Sequence, residues 1–300
     1  MASTATKAAG EIRVDNLGKS FGEVSVVEGC SFTVESGKLT VMIGPSGCGK
    51  STLIRLMAGF TRPSSGSITI DGRPVTGPGR DRLVLFQESA LFPWMTTEAN
   101  ILYGPRARGE GKQARTKAEA LLAKVGLGSF RRKYPTQLSG GMQRRAELAR
   151  AMINNPTVMI LDEPFRGLDA MTKELMWEYY AQLFEENRRT NFFVTTDVDE
   201  AIYLADRMFV MTQMPTRVRE VIEVDLPRPR RFKDLFNSDR ANDIKIHALT
   251  LLHEEAMKSF AGGSKAAADF VQAFSTRFGE ADAVDPAAPR SANAPRSDGT

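Results

Sequence analysis

Leu39-Thr40-Val41-Met42-Ile43-Gly44-Pro45-Ser46-Gly47-Cys48-Gly49-Lys50-Ser51-Thr52 frames the whole chain. Five residues, four of them apolar, read as a buried strand. A glycine-rich turn follows, then helix spacing from Lys50 to Met57 with Gly59 as its stop. A strand, a glycine loop and a helix opening on Lys-Ser make a phosphate cradle. Gly44, Gly47 and Gly49 let the backbone bend, Pro45, Ser46 and Cys48 complete the turn, and N–H groups point inward. The helix adds the positive end of its dipole. Lys50 is placed to reach β- and γ-phosphates, Ser51 to ligate Mg²⁺ and Thr52 to touch an α-phosphate. The Cys48 thiol is expected to lie against those phosphates, beside Lys50. A chance lysine in a glycine turn is the bland alternative; eight matched positions between strand and helix outweigh it.

Working outward, Ile12 to Val14 and Val26 to Val34 read as strands. Ser67 to Ile70 is another, closed by the Asp71-Gly72 turn, and Leu83 to Phe86 is a buried one. Residues 93–154 change to helix spacing and read as a helical insertion. Strand returns at Thr157 to Leu161 and ends in Asp162-Glu163. A buried strand delivers both acids to its carboxyl end, where open α/β sheets bind ligands. Asp162 would hold Mg²⁺ through water, and Glu163 would act as base or orient the attacking water. Helix from Met171 to Glu186, strand from Asn191 to Thr195, a short helix to Leu204 and a strand pair at 207–224 complete an α/β domain with a mostly parallel sheet.

Four separated segments then fall into order: Gly44 to Ser51, Gln87 in Phe86-Gln87-Glu88, Leu138-Ser139-Gly140-Gly141-Met142-Gln143, and Val158 to Glu163. In this order the chain resembles the ATP-binding subunits of ABC transporters, over about Glu11 to Val224. The resemblance implies a RecA-like fold with an N-terminal antiparallel β part, and it implies ATP and Mg²⁺. Gln87 would sense γ-phosphate and Mg²⁺. Ser139, Gly140, Gly141 and Gln143 would complete the nucleotide site of the opposite subunit in a head-to-tail pair. Asp169 would link the two sites, and Phe21 would stack on adenine. The segment from Ala90 to Thr96 would face membrane permease subunits, with core packing an equal reading for Leu91 and Phe92. Thr76 to Arg82 and Phe92-Pro93-Trp94 look like the nitrate, sulfonate, taurine and bicarbonate importer branch, which brings in a solute-binding protein indirectly. The expected place is the cytoplasmic face of the cell membrane, held there through the permease.

One position departs from that pattern. The family has a γ-phosphate-contacting histidine before Asp197; here it is Thr196, shorter and uncharged. Three readings stay open. The chain pairs with a different, intact ATPase; or it is a slow homodimer; or a neighbouring group compensates. A regulatory subunit that binds nucleotide and hardly hydrolyses it belongs to the same set.

Composition excludes other classes. The 300 residues are 42% hydrophobic and 25% charged with a net charge of +4, ordinary for a globular chain and too diffuse for a nucleic-acid face. Two cysteines, one inside the phosphate loop, argue against a structural disulfide. No secretory pattern opens the chain, and no apolar run reaches about 20 residues. The expected domains are a disordered 1–10, an ATPase domain at 11–226, a C-terminal helical extension at 227–279 and a disordered 280–300. Within the extension, 234–260 reads as helix and Phe270, Phe274 and Phe278 as one stripe. The basic residues Arg217, Arg219, Arg228, Arg230, Arg231 and Lys233 read as a solvated face.

Overall fold

Residues 9–261 are described by the computed structural model. Alternating apolar residues fold the N-terminal part into an antiparallel sheet. β1 (Ile12–Phe21) pairs with β2 (Val24–Val34), Ile12 facing Val34. The first strand runs past Val14, where the sequence pattern stops. Asn16 in the left-handed region (φ 42°) and register shifts on either side of Leu17 carry it to Phe21. β3 (Leu39–Ile43), wholly buried, leads through the glycine loop into α1 (Lys50–Ala58), which Gly59 ends at φ 78°. β4 (Ser65–Ile70) and β5 (Arg73–Pro74), joined at Asp71-Gly72, complete the small sheet in the order β2-β1-β4-β5.

β6 (Arg82–Leu85) precedes the helical insertion: α2 (Thr97–Ile101), α3 (Tyr103–Ala107), α4 (Ala114–Lys124) and α5 (Gly140–Ile153). These helices share their own apolar core, with Leu91, Ile101, Leu122, Leu127 and Ala149 in it. β7 (Val158–Asp162), α6 (Ala170–Glu186), β8 (Thr190–Val194), α7 (Val198–Leu204), β9 (Arg207–Met211) and β10 (Val218–Glu223) follow. The large sheet has the order β10-β9-β3-β8-β7-β6, parallel except for β10. Its strands are apolar on both faces. Leu39, Val41, Met159, Leu161, Phe193 and Met208 enter one core, and Met42, Val158, Ile160, Phe192 and Phe209 the other. That is how a parallel sheet covered on both sides must read.

After β10 the expected single helix is two, α8 (Phe232–Phe236) and α9 (Asp239–Ala261). The break falls at Asn237-Ser238, where the Ser238 hydroxyl accepts from the Ala241 N–H at 3.2 Å and caps the second helix. Ala241, Ile244, Ala248 and Leu251 of α9 belong to the same core as β3 and α6. Residues up to Ala256 form one unit; of the unit from Met257 onward, the described part is the end of α9. The expected N-terminal disorder before residue 9, the Phe270 stripe and the 280–300 tail lie outside the described residues.

The basic stretch is a solvated face only in part: Arg217, Arg231 and Lys233 are exposed, and the other three are tied into the fold. Arg230 is buried and donates to the carbonyls of Ile202, Tyr203, Ala205, Val224 and Leu226. Arg228 pairs with Asp206 and Glu185, and Arg219 with Glu254 and Glu255. Five of the oxygens around Arg230 are backbone carbonyls, many of them at the end of α7. A cation there satisfies carbonyls at a helix end, where partners within the helix run out. Burial holds the Arg230 guanidinium below its ordinary range, at about 10.

Candidate functional site

Four of the predicted features, the phosphate loop, Gln87, the two acids and Thr196, emerge at the carboxyl end of the large sheet. The phosphate loop follows β3, Gln87 lies just past β6, and Asp162 ends β7. Thr196 lies two residues beyond β8. Parallel pairing sets Leu85 beside Leu161 and Asp162 beside Val194. The Glu163 N–H donates to the Val194 carbonyl at 2.9 Å, so the acids and Thr196 share one rim.

The loop fits a polyphosphate. Gly47 (φ 76°) has open space where a side chain would stand, and Gly49 (φ 107°) caps α1 with no side chain to compete for the helix N–H groups. The first turn of α1 carries no acid. The Lys50 ammonium donates to the Gly44 and Pro45 carbonyls, each at 2.8 Å, and so is held at the loop. Thr216, on the hairpin between β9 and β10, braces the loop from behind by donating to the Cys48 carbonyl. A side chain at Gly49 would collide with that hydroxyl. Nothing in the sequence near Thr216 announces this role.

Cys48 lies beside Lys50, as expected, but its side chain is turned away from solvent. Its thiol is fully buried and packs in the core with Met42, Leu53 and Phe209, 3.9 Å from the Lys50 ammonium. The loop backbone can face phosphate while its side chain faces inward. Burial raises the thiol pKa, with the Lys50 charge opposing.

The Ser51 side chain lies near enough to Asp162 to lower its carboxyl pKa, so two hard oxygen donors of the kind Mg²⁺ takes are neighbours. Asp162 is raised by burial first; Ser51 and Lys50 oppose, and Glu163 adds to it. Glu163 sits at φ 41° with its side chain 11% exposed, and the Arg166 guanidinium reaches it at 3.0 Å. Thr196 is exposed, while its neighbour Asp197 caps α7 and pairs with Lys173. Behind them Glu200 is buried and accepts from Trp177 Nε1 at 2.6 Å.

Gln87 is exposed, and its backbone is held by a pair that the sequence did not disclose. Arg144 donates to the Phe86 and Gln87 carbonyls and to Glu147 at 2.6 Å; Glu147 in turn accepts the Ala90 N–H. Both side chains are buried. They tie the Gln87 loop to α5. Ser139 caps that helix, accepting from the Met142 N–H at 3.4 Å. Gly141 lies so close to Thr172 that a Cβ would be 2.6 Å from its methyl. The Gln143 amide, expected at the nucleotide, donates to the Pro135 and Leu138 carbonyls and holds the turn before the helix. Among the described residues, no hydrogen bond joins Ser139, Gly140 or Gly141 to the phosphate loop of the same chain. Asp169 caps α6 through the Thr172 N–H at 3.0 Å.

Phe21 is 53% exposed with Lys19 over its ring at 5.0 Å, free to meet a planar base. Leu91 packs into the insertion core, whereas Phe92 meets Trp94 and Tyr103 with tilted rings near the surface. Asn100 fixes that segment by bonding Phe92 through both N–H and carbonyl and by donating to the Met95 carbonyl. No described helix is long and apolar enough to cross a membrane.

Comparison with known proteins follows the same lines. The family model described as ABC transporter matches residues 27–166. The nitrate import ATP-binding protein NrtD of Synechococcus elongatus is 39% identical over 259 residues, 84% of this chain and 94% of that one. The aliphatic sulfonates import ATP-binding protein SsuB of Bacillus licheniformis is 40% identical over 237 residues, 78% of this chain and 92% of that one. Among solved structures, the ATP-binding cassette MJ0796, a dimer in a post-hydrolysis state bound to ADP and Pi, superposes with a TM-score of 0.63 at 26% identity. The match covers 72% of this chain and all of that one.

Proposed function

The chain belongs to the family of ABC transporter ATP-binding subunits, and we propose that it energises a membrane importer for a small anion or a sulfonate-like solute. The solute class rests on the nitrate and sulfonate relatives, since this subunit does not bind the solute. The observation that carries the reading is the rim: phosphate loop, Gln87, Asp162-Glu163 and Thr196 at one end of one sheet.

Lys50 and the loop N–H groups bind the triphosphate, and Phe21 stacks on adenine. Ser51 and Asp162, with Gln87, would hold Mg²⁺, which neutralises charge on the β- and γ-phosphates. Ser139, Gly140 and Gly141 of a second ATPase subunit close over the γ-phosphate, and Asp169 joins the two sites. Glu163 takes a proton from the attacking water as its oxygen bonds to γ-phosphorus. The bond from that phosphorus to the β,γ-bridging oxygen breaks, leaving ADP and phosphate. Closing and opening the pair moves the permease through the surface at Phe92, Trp94 and Tyr103, at the cytoplasmic face of the membrane. A solute-binding protein feeds the permease from the other side.

Thr196 favours a second reading, a subunit with weak hydrolysis beside an intact ATPase. Phosphate release by the purified membrane complex, with its subunits identified, separates the two. In either case Lys50→Ala should weaken ATP binding by about 10- to 100-fold, the worth of a charged hydrogen bond. Equal affinity in variant and parent would remove the assignment of the loop.

A further inference from the structure

We propose that Arg166 is a positioning residue for hydrolysis, holding the Glu163 carboxylate in its aim on a rim where Thr196 stands in place of the γ-phosphate-contacting histidine. The proposal rests on the assignment of Glu163 made above and adds a residue to it. Glu163 leaves β7 in the left-handed region, at φ 41°, and its backbone N–H is tied to Val194. The backbone is therefore fixed, and the side chain is aimed by what it touches. What it touches is Arg166, three residues along, at 3.0 Å. The pair is one-sided: the Glu163 side chain is 11% exposed and the Arg166 side chain 61%. An ion pair with one partner so open to water contributes little to stability, so stability does not explain why it is there.

The neighbourhood supplies the need. Thr196 stands on the same rim with an exposed, uncharged side chain. Lys173 cannot serve in its place because it is paired with Asp197. Arg166 brings a permanent charge and a planar fork of five donors. One N–H on Glu163 leaves the other donors to fix the guanidinium against the closing partner or the substrate. The rate of phosphoryl transfer depends on such prearranged charge and orientation. Binding depends on it far less.

The test uses the assembled transporter. Arg166→Ala should lower kcat for ATP by about 10- to 100-fold, as loss of an orienting partner does, with KM within about twofold. Arg166→Lys should recover part of it, and Thr196→His added to Arg166→Ala should recover more than Thr196→His adds to the parent. Parent-like or faster turnover in Arg166→Ala overturns the proposal, and so does a slow variant with raised KM that lysine does not rescue. Glu163→Gln is measured beside it. If that variant is inactive while Arg166→Ala is parent-like, this inference alone falls. If Glu163→Gln turns over like the parent, the assignment of Glu163 falls and takes this inference with it.

Discussion

Cys48 belongs to the phosphate loop, yet its thiol faces Met42 and Phe209 in the core. The thiolate is the reactive form, and burial both raises the thiol pKa and blocks approach. Maleimide labelling of the native protein at pH 7.5 should be slow, with or without MgATP, and should become fast in denaturant. Fast native labelling that MgATP blocks would place the thiol on the phosphates after all. Cys30 is equally buried, its thiol pushed up to about 11, so it does not confuse the measurement. The same loop shows which residues a sequence discloses. Gly47 and Gly49 are legible because a left-handed backbone demands glycine. The direction of the Cys48 side chain is not, because it depends on Met211 and Phe209, about 160 residues away in the chain.

At the scale of elements, α7 is fastened to α6 by one buried acid. Glu200 accepts from Trp177, and burial pushes its pKa up to about 7, opposed by the Thr195 and Trp177 side chains and by the Lys173 charge. The unfolded carboxyl titrates near 4.5. The folded state therefore holds the proton more tightly. Its contribution to stability is complete below the unfolded pKa and is lost as pH rises through about 7. Glu200→Gln keeps an acceptor for Trp177 and removes the charge. Its melting temperature should gain on the parent between pH 5 and pH 8, the difference reaching on the order of 3 kcal/mol. A gap that stays flat across that range would show that Glu200 is already ionised when folded. Pairings of this kind explain what sequence reading missed. Strand, loop and helix periods are local and were legible from β3 to β10. The Arg144 tie to the Gln87 loop, the Thr216 brace and the bonds from Arg230 to the end of α7 join residues 25 to 168 positions apart. A run of arginines read as surface because charge alone does not name its partners.

On the scale of the molecule, the chain carries one phosphate loop and one Ser139-Gly140-Gly141 helix start, and nothing described bonds the one to the other within a chain. On the function proposed above a working site is shared by two chains, and the similar MJ0796 cassette is itself a dimer bound to ADP and Pi. Removing the Glu163 charge should let MgATP remain bound and hold two chains together. Glu163→Gln should therefore run as a dimer with MgATP and as a monomer without it, by light scattering on the purified protein. A variant that stays monomeric while binding MgATP would favour a different chain as the natural partner. Failure to bind nucleotide would make Glu163 structural.

The two tryptophans sit at opposite extremes: Trp177 is 4% exposed against Glu200, and Trp94 is 70% exposed beside Phe92. The chain thus contains its own optical probe. Iodide should quench the emission of Trp94 and leave that of Trp177 almost untouched. If a permease covers the aromatic surface, as proposed above, emission should shift to the blue and the quenched fraction should fall. Trp94→Phe should abolish both changes without a label ever being attached.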